Sequence, residues 1–278
     1  MAIDTNPARR NRADHPASRR LAASVGVVLC LLAPCAQADE IRMLASAAMK
    51  EAFLELIPEF EKASGHKVVT VWAGGVDIVK RVKGGEVVDL VVLARPAVEG
   101  LIKEGKVAQG GRVDLANSGV GVAVRAGAPR PDVSSADALK RTLLAAKSIA
   151  YSSGPSGAHI AALLARMGIA DQVKGKVLQT TPGNPVGHFI ARGEAEIGFQ
   201  QISELLPIAG IEYLGPLPAE IQEITVFSGG LHASAKAPAA TQALLEIPYL
   251  ARGRVGDPQE GHGAGLTSRE SDVDHAAS

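Results

Sequence analysis

Between residues 40 and 246 the chain alternates two hydrophobic rhythms. The runs EIRMLA (40–45), KVVTVWA (67–73) and VDLVVLA (88–94) have the length and β-branched content of strands. Between them the period lengthens to that of a helix. From about 49 to 64, Phe53, Leu56, Ile57 and Phe60 recur at three- and four-residue spacing, and Gly65 follows as a stop. Further helical stretches are predicted over 78–83 and 97–104. At SGVGVAVRAGAP (118–129) the style changes to a long strand punctuated by glycine. Then come a helix over 136–147, the strand SIAYSS (148–153), a helix over 158–167, the strand KVLQT (176–180), a helix over 186–192 and the strand AEIGFQQ (195–201). TVFSGGLHA (225–233) is a strand that can return beside 118–126, and PAATQALLEI (238–247) opens a helix with Pro238 early. Repeated β-α order predicts an α/β fold with helices on both faces of its sheets. The economical arrangement is two lobes, each a mixed sheet flanked by helices, with two crossover strands as the hinge. Residues 39–118 with 206–247 are expected in the first lobe and 119–205 in the second. No internal repeat of fixed period interrupts 40–246.

The ends behave differently. Arg9, Arg10, Arg12, Arg19 and Arg20 make a basic leader, the apolar stretch 21–33 follows, and AQA at 36–38 supplies small residues at an exit. That is the order of a cleaved secretory signal peptide over 1–38, and its apolar part is too short to span a bilayer. The paired arginines of SRRLA leave the twin-arginine and general export routes both open. LAPC at 32–35 has the outline of a lipoprotein site, which Pro34 fits poorly; release as a soluble periplasmic protein is the expectation. At the other end, 248–278 has neither period and is rich in Gly, Pro and polar residues. It reads as a disordered tail or as the product of a frameshift, since permitted codons allow another frame to continue the ALLE helix.

Loss of the leader changes the chemistry available. Both cysteines, Cys30 and Cys35, lie in it, so the mature chain has no disulfide, thiolate nucleophile or cysteine metal site. Five arginines and two aspartates leave too, which turns 29 basic and 29 acidic residues into 24 and 27. A mildly acidic body with few aromatics is not built for nucleic acid.

In α/β sheets ligands sit beyond the carboxyl ends of the strands. Four strand-to-helix junctions share one composition there: ASAA (45–48), WAGGVD (72–77), SSGPSGAH (152–159) and PGNPVGH (182–188). A helix start exposes unpaired N–H groups and roughly half a positive charge, so an oxyanion can sit there if nothing bulky intervenes. Small residues at such turns have a second reading, which is close helix packing. Several starts facing one cleft would hold a compact anion without a metal or a cofactor, and neither is expected. The contacts expected are Ser46, Ala47, Ala48, Gly74, Gly75, Ser153, Ser156, Gly157, Val186, Gly187 and Gln201. Ser46 and Ser156 would offer hydroxyls, and most of the others backbone N–H groups or room. His159 and His188 fall at two junctions and could touch a ligand, cap a helix or face solvent. Trp72 reads as strand packing near the cleft rim. Arg192, Glu194 and Glu196 read as a solvated turn. Walker loops, dinucleotide fingerprints, nucleophile elbows and HExxH are absent from the sequence.

The stretches MLASAAMKEAFLELIPEFEKASGHKV, GGEVVDLVVLA and ARGEAEIGFQQISEL resemble the molybdate-binding-protein-like group of periplasmic solute-binding proteins of ABC importers. The likeness covers about 40–246. It implies the two-lobed type II fold closing on an anion held by amides and hydroxyls, an ABC permease as partner, and a monomer. Under it, the group's ligand-binding serines fall on Ala48 and Gly75, and its tyrosine on Gln201, so molybdate itself loses three of its contacts. RVDLANSGVGVAVRAGAPRPD, SIAYS and PVGHFIARGEAEIGFQQISELL are also similar to aconitate isomerases of the same superfamily. That resemblance implies an alternative function, interconversion of trans- and cis-aconitate, with His159, His188 and Lys50 as the conceivable bases.

Overall fold

The structure, a computed structural model, describes residues 38–246 apart from 182; the expected leader, and the tail with its two readings, lie outside the described residues. In chain order the elements are β1 (Glu40–Ser46), α1 (Lys50–Ser64), β2 (Lys67–Ala73), α2 (Gly75–Lys83), β3 (Leu90–Ala94), α3 (Arg95–Lys103) and β4 (Val107–Arg125). There follow α4 (Ala136–Ala145), β5 (Ile149–Ser152), α5 (Pro155–Arg166), α6 (Ala170–Val173), β6 (Val177–Thr180), α7 (Val186–Ala191), β7 (Ile197–Gln201), α8 (Ile202–Leu205), β8 (Ile211–Pro216), β9 (Ile224–His232) and α9 (Pro238–Leu245). The strand path is β2-β1-β3-β9-β4-β7-β5-β6, with β8 paired to β4.

Two mixed sheets share β4. In the first, β1 lies parallel to β2 and β3, while β9 runs antiparallel to both β3 and β4. In the second, β5 lies parallel to β6 and β7, and β7 and β8 run antiparallel to β4. Each sheet is covered on both faces because its inward residues are apolar on both. On the first sheet, Phe53, Leu56 and Phe60 of α1 and Leu244 and Leu245 of α9 form one core layer. Ile78 and Val82 of α2 and Val98 and Leu101 of α3 form the layer opposite. On the second, Leu139, Leu143, Ile160 and Leu163 of α4 and α5 cover one face. Val186, Ile190 and Leu205 of α7 and α8 cover the other.

The crossover strand is longer than its apolar run. The pattern predicts a strand from 118, yet β4 begins at Val107. Gly110, in the left-handed region at φ 73°, and the polar residues around it break the hydrophobic rhythm. The register against β9 slips twice there, between Val107 and Arg112 and between Asp114 and Ala116. Beyond Gly119 the strand leaves β9, and its next pairings are with β7 and β8. β8 has no counterpart in the sequence reading, and it pairs with Gly121–Arg125 although its residues fall in the stretch assigned to the first lobe. Asp89 anchors the first sheet: one carboxylate oxygen accepts from Arg42 N (2.8 Å), the other from Lys236 N (2.6 Å) and Ala237 N (3.0 Å).

Candidate functional site

A cavity of about 260 Å³ opens where β1, β2, β5, β6 and β7 end, and residues from all four small-residue junctions line it. Ser46, Ala47, Ala48 and Lys50 come from the turn between β1 and α1, and Trp72, Ala73, Gly74 and Gly75 from the start of α2. Ser152, Ser153, Gly154 and Pro155 lead into α5. Thr180, Thr181, Gly183, Asn184 and Pro185 lead into α7, and Gln200, Gln201 and Glu204 stand at the end of β7 and on α8.

Local chemistry sets each junction. Ser46 caps the short 3₁₀ turn Ala47–Met49, its Oγ accepting from Ala48 N at 3.4 Å, so the turn presents small side chains to the cavity. Gly74 is extended and Gly75 begins α2; a Cβ on Gly75 would meet only Leu93 Cδ2, at an ordinary 3.5 Å. Trp72 lines the cavity and tilts against Phe53, with ring centroids 6.3 Å apart.

Seven of the expected contacts therefore share one wall system: Ser46, Ala47, Ala48, Gly74, Gly75, Ser153 and Gln201. Four stand outside it, for packing reasons. Ser156 is buried, with its Oγ 3.1 Å from Ser152 Oγ. A Cβ on Gly157 would sit 1.5 Å from Ser152 O, so that glycine exists to let α5 lie against β5. Val186 is buried, and its N–H, an expected anion donor, instead donates to Gln200 Oε1 at 2.8 Å. Gly187 makes room for Ile208, 2.9 Å from where its Cβ would be. Gln201 lines the cavity, yet its amide serves the crossover strands. With the nitrogen facing the acceptors, it donates to Ser118 Oγ (2.9 Å) while its oxygen accepts from Thr225 Oγ1 (2.8 Å).

The suggested bases separate as well. His188 is exposed and His159 buried, and neither lines the cavity. His159 Nε2 donates to Ile221 O (2.8 Å); its Nδ1 lies 2.7 Å from Glu223 Oε2, close in distance but not directed as a hydrogen bond. This ring ties α5 to the segment that enters β9. Lys50 does line the cavity and is the one cation among the lining residues.

Two further groups went unnoticed in the sequence. Thr180 ends β6 and is 3% exposed, and its Oγ1 has no partner among the described residues. A buried hydroxyl left unpaired beside a cavity is free to bond a group that enters it. Its place at a strand's carboxyl end was the available signal. Glu204 is the one carboxylate in the lining. Its Oε1 accepts from Gln200 Nε2 at 2.9 Å, and Val186 N–H fixes the orientation of that amide from behind. Burial raises Glu204 to about 7, opposed by the Gln200 bond. It escaped notice because a single acid in ISELL carries no sequence signal that it lines a cavity.

Comparison with known proteins fits this geometry. Residues 41–250 match the family model described as bacterial extracellular solute-binding protein. An aconitate isomerase from Pseudomonas sp is 36% identical over 237 residues, 82% of this chain and 89% of that protein. The molybdate-binding protein ModA of Azotobacter vinelandii is 30% identical over 178 residues, 63% of this chain and 69% of its own. Among solved structures, the periplasmic molybdate-binding protein of Azotobacter vinelandii superposes with a TM-score of 0.62 at 19% identity, covering 76% of this chain and 92% of its own. The tungstate ABC transporter structure from Geobacter sulfurreducens gives 0.59 at 14% identity, over 77% and 96%. The fold they share with this chain is the two-lobed type II arrangement.

Proposed function

The chain belongs to the bacterial extracellular solute-binding protein family, and from that premise we propose that it binds a small carboxylate in the cleft and delivers it, as a periplasmic monomer, to an ABC permease. The observation that carries this reading is the composition of the wall: the starts of α1, α2 and α5, free of bulk, beside one cation and the unpaired Thr180 hydroxyl. Amides and hydroxyls of that kind suit an anion's oxygens. A carboxylate is favoured over a tetrahedral metal oxyanion because Ala48 and Gly75 offer no hydroxyl and Gln201 is tied to β4 and β9. Closure of the two lobes about β4 and β9 would bury the ligand. Thermal-shift screening against citrate, the two aconitates, molybdate, tungstate and sulfate tests this. A ligand at a hundred times its Kd adds about 2.7 kcal/mol. The expected order places the carboxylates above the metal oxyanions, and silence from every anion would remove the reading.

A second reading, isomerisation of an unsaturated carboxylate, is favoured by the 36% identity to an aconitate isomerase along 89% of its length. Proton transfer needs a group at the substrate, and of the candidates only Lys50 and the newly found Glu204 line the cavity. Purified protein with trans-aconitate would then generate the cis isomer, followed by proton NMR. His159→Ala is expected to leave that rate within a few-fold and Glu204→Gln to lower it by about a hundred-fold or more.

A further inference from the structure

An anion pocket that contains a carboxylate poses an electrostatic problem. Two negative oxygens brought together in a partly dry cleft repel, and like charges so placed keep a proton between them. Glu204 is where this arises. It is the one acid among the lining residues; one oxygen is occupied by Gln200 Nε2 at 2.9 Å, and no ion pair neutralises it among the described residues. Position is enforced through Gln200, whose Oε1 is held by Val186 N–H at 2.8 Å, so the amide cannot turn and offer an acceptor instead.

The surrounding charges do not remove the problem. α8 packs against β4, β7, α7 and the Ala47–Met49 turn. Across these elements the charged or titratable groups are Arg112, Asp114 and Arg125 of β4, His188 of α7 and, just past the turn, Lys50 and Glu51; Tyr213 packs in the same cluster as Leu205. Arg112 and Asp114 are engaged with Glu99 and Arg95. Of all these only Lys50 shares the cavity, and no ion pair joins it to Glu204 among the described residues.

We propose that Glu204 is a ligand-contacting residue and makes binding proton-coupled: the complex holds one proton between its carboxyl and an oxygen of the bound anion. This rests on the reading of the cleft as a carboxylate site. The raised affinity of Glu204 for a proton when the cavity is unliganded is in the same direction. The unpaired hydroxyl of Thr180, which lines the same cavity, is an independent sign that a hydrogen-bonding ligand belongs there. Above neutral pH the pocket must take up a proton to close on its ligand, and affinity falls by about ten-fold per pH unit.

Isothermal titration calorimetry with citrate and trans-aconitate, in buffers of different ionisation enthalpy, reads the uptake directly. Wild-type protein is expected to absorb about one proton per anion at pH 8 and about none at pH 5.5. Glu204→Gln, which keeps the Gln200 hydrogen bond, is expected to bind with no uptake at either pH. Binding without uptake in the wild type overturns the inference and leaves the carboxylate site standing, a measurement that depends on no variant folding. Uptake that persists in Glu204→Gln also overturns it. Failure of both anions to bind overturns the site and the inference together.

Discussion

Glu204 also leaves a trace in the unliganded protein. Its folded value of about 7 lies above the ordinary 4.5. Between those values the folded state holds a proton that the unfolded state has released, so stability falls as pH rises from 4.5 to 7 and is level beyond. The full shift corresponds to about 3 kcal/mol at ~1.4 kcal/mol per unit, and the side's openness to the cleft lessens it. Glu204→Gln is therefore expected to exceed the wild type by roughly 1–3 kcal/mol at pH 8 and to match it near pH 4.5. Urea denaturation at the two pH values checks this; an equal difference at both would rule out burial as the cause. Such a residue cannot be read from sequence. The letters ISELL say that an acid lies beside an apolar stripe, and only the packing of α8 beside the Ala47–Met49 turn, where Ser203 Oγ donates to Ala48 O at 2.7 Å, turns it into a pocket wall.

At the scale of elements, the four junctions resolve into two kinds. The turns before α1 and α2 are small and open on the cavity; Gly157 and Gly187 are small because their helices lie close against Ser152 of β5 and against Ile208. Substitution separates them. Gly157→Ala drives a methyl into Ser152 O and is expected to cost about 3 kcal/mol or more. Gly75→Ala meets only Leu93 at 3.5 Å and gains helix propensity, so it is expected to lie within about 1 kcal/mol of wild type. Denaturant midpoints with an unchanged slope distinguish the two, and similar losses at both positions would erase the distinction. The strands and helices were legible because their periods survive in the sequence: β1, β2 and β9 and the longer helices lie within a few residues of the pattern. The first half of β4, β8 and α8 were not. β4 slips register across Gly110 and Gly111 and again at Leu115, and β8, IEYLGP, carries no clean alternation. In the site, composition located the junctions but could not say which small residue faces the cleft. That depends on whether the next layer is a helix or open space. Gln222 illustrates how much is settled by tertiary contact alone. Its side chain accepts from Val120 N at 2.8 Å and donates to Val120 O at 3.0 Å, between the last residue of β4 paired with β9 and the first paired with β8.

For the whole molecule the proposed function raises the question of what would couple a ligand to closure of the lobes. Away from the shared strand β4, two side-chain bonds beside the cavity link the two halves among the described residues: Gln201 of β7 to Thr225 Oγ1 of β9, and Ser203 Oγ on α8, which donates to Ala48 O at the β1–α1 turn, 2.7 Å apart in space and 155 positions apart in sequence. Ala48 lines the cavity and Ser203 adjoins a lining residue, so under the proposed function an approach of the walls would bear on this second bond. A neutral hydrogen bond contributes about 0.5–1.5 kcal/mol. If it forms with closure, losing it raises the free energy of the liganded form alone and reduces the competent population by the same factor. Ser203→Ala is accordingly expected to weaken citrate binding about five-fold while the unliganded melting temperature moves by no more than a degree or so. Small-angle scattering adds the mechanical side: ligand should contract the wild type and, at saturating concentration, contract the variant to the same radius. A variant that melts several degrees lower but binds citrate with unchanged affinity would place this bond in the resting fold, and the walls would then have to be coupled through β4 and β9 themselves.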